Sequence, residues 1–137
     1  MSNLGQMNDV IIKDFYIYQQ NFLELPPGGS SVGNINIQAD SDFVLQKLTY
    51  FGGVNNNIRI VPNVNVQITD SGSGRNLFEE SVPVAALFGS GELPFILPTP
   101  KLFPARSTIQ ISAANSSTAT ANLQLSFIGY KAFRKGM

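Results

Sequence analysis

Hydrophobic side chains in this chain fall on every second residue over several stretches, and that period limits what it can fold into. Residues 34–38 set Ile35 and Ile37 against Asn34, Asn36 and Gln38. Residues 64–69 set Val64, Val66 and Ile68 against Asn65, Gln67 and Thr69. Ile109 and Ile111 alternate with Thr108, Gln110 and Ser112, and Leu123, Leu125 and Phe127 with Gln124 and Ser126. A strand sends successive side chains to opposite faces, so each window predicts a strand with one face on a core and one in water. None places apolar residues at helical spacing. Residues 11–19, 43–51 and 58–61 read as less regular strands. Residues 22–25 read as a continuation of the first, past a bend at Gln20 and Asn21.

Turn chemistry separates these runs. Pro26-Pro27-Gly28-Gly29 cannot be a central strand, because proline donates no ladder bond and glycine favours turns. Gly52-Gly53 and Asn55-Asn56-Asn57 read as loop. Ser71-Gly72-Ser73-Gly74 reads as a hairpin connection, and Asn115-Ser116-Ser117 as a hairpin loop between the last two strands. One short helix is expected over residues 82–88, with Ser81 as its cap, Pro83 in its first turn and Gly89 just past its end. Residues 94–104, PFILPTPKLFP, hold four prolines and read as an extended crossover or edge segment. Such spacing of turns favours a sandwich over alternating strands and helices. The expected fold is all-β: a jelly-roll-like antiparallel β-sandwich of about eight strands with at most one short helix. It divides into a flexible arm over residues 1–8, one domain over 9–133 and a tail over 134–137.

Composition narrows the chemistry. There is no cysteine and no histidine, so disulfides, thiolate metal sites and the usual general base are excluded. Nine basic residues balance nine acidic ones. A neutral chain lacks the basic excess that nucleic acid or an anionic membrane surface demands, and neither is expected as a partner. No apolar run reaches the length of a membrane-spanning helix. The N-terminal residues lack the basic start and apolar run of a secretory signal, so synthesis in the cytoplasm is expected. Charged residues make up only 13% of the chain. With little like-charge repulsion to oppose association, its surface is expected to be covered by partners.

The remaining constellations fail as catalytic or metal sites. Glu79 and Glu80 are neighbours and do not face one another, so they would not share a proton. Asp40 and Asp42 flank a turn and match no calcium loop. Ser71–Arg75, SGSGR, lacks the lysine-serine ending of a phosphate-cradling loop. Asn115-Ser116-Ser117 fits a glycosylation sequon only if the chain is secreted. No catalytic residue, cofactor or metal site is therefore expected. The candidate contact residues are aromatic, apolar or basic. In the first strand Phe15 and Ile17 share one face and Tyr16 and Tyr18 the other, and the tyrosine face is taken as the interface. Phe95, Leu102 and Phe103 in the proline-rich stretch join them, with Lys131, Arg134 and Lys135 near the C-terminal end.

The C-terminal third carries a resemblance. The proline-rich apolar segment at 93–104 is followed by Ala105-Arg106-Ser107-Thr108-Ile109-Gln110-Ile111, the Asn-Ser-Ser loop, and Leu123-Gln124-Leu125-Ser126-Phe127-Ile128-Gly129-Tyr130-Lys131. Over roughly residues 80–133 this resembles the jelly-roll capsid decoration, or cement, proteins of tailed bacteriophages. The resemblance implies a virion protein on the capsid exterior, bridging major capsid protein subunits. It also implies a homo-oligomer, a dimer ahead of a trimer, and transfers no individual site residue. The alternative is a sugar-binding β-sandwich of a phage tail or host-attachment structure, with Tyr16, Tyr18 and Tyr50 as its aromatic platform.

Overall fold

The computed structural model describes residues 11–55, 57, 61–71, 73–90 and 93–134. These contain nine strands: β1 (Ile11–Leu25), β2 (Ser30–Asn36), β3 (Asp42–Val54), β4 (Val64–Asp70), β5 (Arg75–Asn76), β6 (Val82–Pro83), β7 (Phe95–Phe103), β8 (Thr108–Asn115) and β9 (Ala121–Arg134). One helical turn, α1 (Val84–Leu87), interrupts them. Alternation produces the strands as expected. In β4, Val64, Val66 and Ile68 are fully buried while the residues between them are not. In β9, Ala121, Leu123, Leu125 and Phe127 all point inward.

The strands form two antiparallel sheets. Sheet A has the order β1-β9-β3-β7, and sheet B the order β2-β8-β4-β5, with β6 also on β4. The sequence order of the pairs reveals the topology. First pairs with last (β1·β9), then β2·β8, β3·β7 and finally β4 with β5 and β6. The chain is thus one long hairpin rolled up on itself, and β9·β3 and β8·β4 close the roll. This is the jelly roll. Its tip is the β4–β5 turn, where Gly74 adopts φ +71° and its N–H donates to Asp70 O at 2.8 Å. A left-handed backbone there is cheap only without a Cβ.

Between the sheets lies one core. Phe43, Phe103 and Phe127 from sheet A meet Val64, Val66, Ile68, Ile109 and Ile111 from sheet B. Each such side chain contributes on the order of 1.5–3 kcal/mol on burial. Phe88, just past α1, packs edge-on against Phe127 with ring centroids 5.8 Å apart.

Four local expectations need correction. The helix covers only Val84–Leu87 and has no side-chain cap; Ser81 and Val82 stay outside it because β6 engages Val82 and Pro83 with β4. The first strand does not bend at Gln20 and Asn21. It runs on to Leu25, and its register shifts between Phe22 and Leu25, where Glu24 adopts φ +55°. Gly52 and Gly53 belong to β3. A Cβ on Gly52 would lie 1.9 Å from Asn122 O, so glycine is there for close approach to β9 rather than for a turn. The loop after Asn115 is no hairpin, since β8 and β9 lie in different sheets; it carries the chain from one layer to the other. The proline-rich stretch is an extended edge segment as expected: it forms strand β7 at the edge of sheet A, with residues 97–100 outside the ladder, since Leu45 pairs with Lys101 but Lys47 with Ile96. Of the strand expected at 58–61, residues 58–60 lie outside the described residues, as does the arm at 1–8.

Candidate interaction face

The outer face of sheet A is apolar at one level, and the register shows how. Reading across β1, β9, β3 and β7, one row is Phe15, Tyr130, Val44 and Leu102. The next is Ile17, Ile128, Lys47 and Ile96. Further along, the rows turn polar, with Gln19, Ser126 and Thr49, then Asn21 and Gln124 beside Phe51. Exposure is large at the two margins: Phe15 is 73% accessible, Ile96 63% and Leu102 49%. Lys13 flanks the patch with its Nζ 5.0 Å from the centre of the Tyr130 ring. Large apolar side chains made contiguous in this way mark a contact surface, whereas scattered ones do not.

Sheet B presents the opposite chemistry. Its outward rows are Asn36 with Thr108, then Asn34, Gln110, Thr69 and Asn76, then Val32, Ser112 and Gln67. Thr108 Oγ1 donates to Asn36 Oδ1 at 2.9 Å and Thr69 Oγ1 to Asn76 Oδ1 at 2.8 Å. Only Val32 in these rows is a large exposed hydrophobic. The two faces thus divide the molecule into a side suited to burial and a side suited to water.

No protein-family model matches the chain, and no curated protein matches it. Among solved structures the chain is similar to the infectious bursal disease virus VP2 subviral particle, at 13% identity over 94% of this chain with a TM-score of 0.36. It spans 34% of the length of that chain. The strand order of this chain defines its fold.

The fold separates the residues expected at an interface. Leu102 lies on the apolar outer face. Phe95 is half-buried and packs against the core. Phe103 is fully buried, because it pairs with the inward-facing Phe43. Tyr18 is buried and Tyr16 half-buried, so the tyrosine side of β1 faces in, and Phe15 and Ile17 face out. Polar partners at the flank of the sandwich explain the inversion. The Gln38 N–H donates to the Tyr18 hydroxyl and Gln38 Nε2 to the Tyr16 hydroxyl, each at 3.0 Å. Tyr18 also stacks edge-on with Phe43 at 4.9 Å. Buried tyrosines satisfied in this way are stable. With Tyr50 likewise half-buried against the core, the three tyrosines form no exposed platform.

Lys131 is also interior rather than part of a basic tail. Its ammonium donates to Gln38 Oε1, lies 3.4 Å from Asp40 Oδ2 and sits 4.2 Å from the centre of the Tyr16 ring. These partners keep the buried cation compensated. Lys135 lies outside the described residues, as does the side chain of Arg134. Asp42 Oδ1 accepts from the Ala105 N–H at 2.9 Å, a loop-fixing role. Among the described residues, no cluster of three or more acidic, histidine or cysteine side chains could hold a metal. Asn115 of the sequon is buried with its amide already donating to Leu25 O and Ala119 O. A cavity of about 370 Å³ lies under the β7 bulge, lined mainly by Leu48, Ile68, Leu77, Phe95 and Leu97.

Phe15, Ile17, Ile96, Ile128 and Tyr130 escaped the sequence reading, yet a signal was present. Alternation breaks into runs at Phe15-Tyr16-Ile17-Tyr18, Phe43-Val44-Leu45, Phe95-Ile96-Leu97 and Phe127-Ile128. A strand with both faces covered reads as such a run. The register brings the four runs onto two adjacent rows of sheet A.

Proposed function

We propose that the chain is a structural virion protein. It decorates and stabilises the capsid of a tailed phage from the outside by bridging major capsid protein subunits, and it performs no catalysis. The outer face of sheet A is its docking surface. One observation carries this reading: four adjacent strands place Phe15, Ile17, Tyr130, Ile128, Leu102 and Ile96 together on two adjacent rows of a face that no other described element covers. The jelly roll itself serves viral capsid and lectin domains alike, so the fold is compatible with the role without selecting it. The face supports the role: it is mainly aromatic and aliphatic, with Lys13 at its rim and Lys47 within its second row between Ile128 and Ile96, a mixture suited to a protein–protein contact. The neutral balance of the chain fits a protein partner better than nucleic acid.

The test is to purify phage particles and quantify the chain against the shell protein. A near-stoichiometric ratio on the head is expected. Recovery only with tails, or from infected cells but not from particles, overturns the reading. Added back to shells lacking it, the Leu102→Lys variant should bind more than a hundredfold more weakly. Burying an unpaired lysine there costs on the order of 3 kcal/mol.

A further inference from the structure

We propose that β1 is the seam of a homodimer in which two copies pair edge to edge, antiparallel, fusing two sheets A into one continuous sheet. The two edges of sheet A differ in kind. At β7, residues 97–100 leave the ladder, Pro98 and Pro100 have no N–H to offer, and Lys101 faces the interior side. Proline, a bulge and an inward lysine are the devices that stop another strand from adding. β1 has neither proline nor bulge before Phe22, and its one inward-facing charge there, Asp14, is exposed opposite Lys131. It is 15 residues long and free of proline, and among the described residues its only neighbour within the sheet is β9. An edge of this length left open is a template for pairing.

The side chains favour the same seam. Phe15 and Ile17 each have a cross-strand neighbour on one side only, Tyr130 and Ile128 respectively, and are 73% and 41% accessible. A neighbouring strand would supply the missing half of each pair. β1 is complementary to itself. With a two-fold axis at Tyr16, Phe15 faces the partner's Ile17, and Lys13 faces the partner's Gln19. No like charges oppose one another in that register. The net charge of zero leaves no long-range repulsion between copies, which favours a second copy as the occupant. Because β7 is blocked, pairing stops at two, giving a closed dimer rather than a fibre. This deepens the proposed docking role: a dimer offers the apolar face twice and grips two shell subunits at a gain in effective concentration.

The experiment measures the mass of the full chain by sedimentation equilibrium over a wide concentration range, for the wild type and two variants. The wild type should converge on twice 14.8 kDa. Phe15→Lys combined with Ile17→Lys should raise the dissociation constant at least tenfold, with a melting temperature unchanged at concentrations low enough for both chains to be monomeric. Leu102→Lys, on the same face but at the far margin, should remain dimeric. Amide exchange along β1 should slow as the wild-type dimer forms. A wild type that stays monomeric or forms trimers, a double variant that dimerises normally, or amides that gain no protection would each overturn the proposal. So would a Leu102→Lys chain that dissociates as readily as the double variant, since the contact would then be face to face. Loss of shell binding by a still-dimeric Leu102→Lys chain bears on the docking role alone.

Discussion

Asn115 shows how much a single polar residue can hold at a layer crossing. Its amide donates to Leu25 O at 3.0 Å and Ala119 O at 2.8 Å, and its Oδ1 accepts from the N–H and hydroxyl of Ser117. Its backbone exchanges bonds with Gly28 and Gly29 in the turn after β1. The residue therefore joins the end of sheet A's edge strand to the loop leaving sheet B. Replacing it with alanine takes this donor from the buried Leu25 carbonyl and leaves Ala119 O with the Ser117 hydroxyl alone, and Asn115→Ala should cost about 1–3 kcal/mol. Urea denaturation followed by tyrosine fluorescence would check it; a loss below about 1 kcal/mol would mean that water replaces the amide. The sequence showed turn chemistry at this position and little more. Which layers the turn joins depends on β1, β8 and β9 finding partners far away in the chain. The same holds for β1, where period two separates Phe15 and Ile17 from Tyr16 and Tyr18 but does not say which pair faces in. Gln38, 20 residues from Tyr18, decides it by donating to both hydroxyls.

At the scale of elements, clean alternation was fully legible: β4, β8 and the first part of β9 follow their expected faces residue by residue. The proline-rich stretch was legible in kind, as an edge, but its bulge was not, because only pairing with β3 reveals that four residues oppose Gln46 alone. That bulge makes a prediction about solubility rather than stability. Pro98→Val with Pro100→Thr restores two donors to the edge and raises its strand propensity. The double variant should keep its urea midpoint within about 0.5 kcal/mol equivalents yet scatter more light at rest. Unchanged scattering would show that Lys101 and the bulge suffice without the prolines. The candidate face was the least legible part. Its residues come from four strands, and only the register gathers them.

For the whole molecule, the rolled hairpin sets the balance between local and distant contact. Only the tip at β4–β5 is local, whereas β1·β9 pairs Ile11 with Arg134. Chains dominated by such pairings close large loops before they gain contacts, and they fold slowly. Slow folding exposes β1, with its exposed Phe15 and Ile17, to other chains for longer, so assembly and aggregation compete for one edge.

Because β1 begins beside the point where β9 stops, the order of strands along the chain is separable from their order in space. A chain that links Arg134 back to Ile11 through a short glycine-serine bridge, and opens instead at Ser73, keeps every strand pair except the β4–β5 turn. The widest pairing then becomes the most local one. Such a rearranged molecule should melt within a few degrees of its parent but refold measurably faster in stopped-flow dilution from urea. Equal refolding rates would mean that the outermost pair forms after the slow step, leaving the pairing of the inner strands to set the pace.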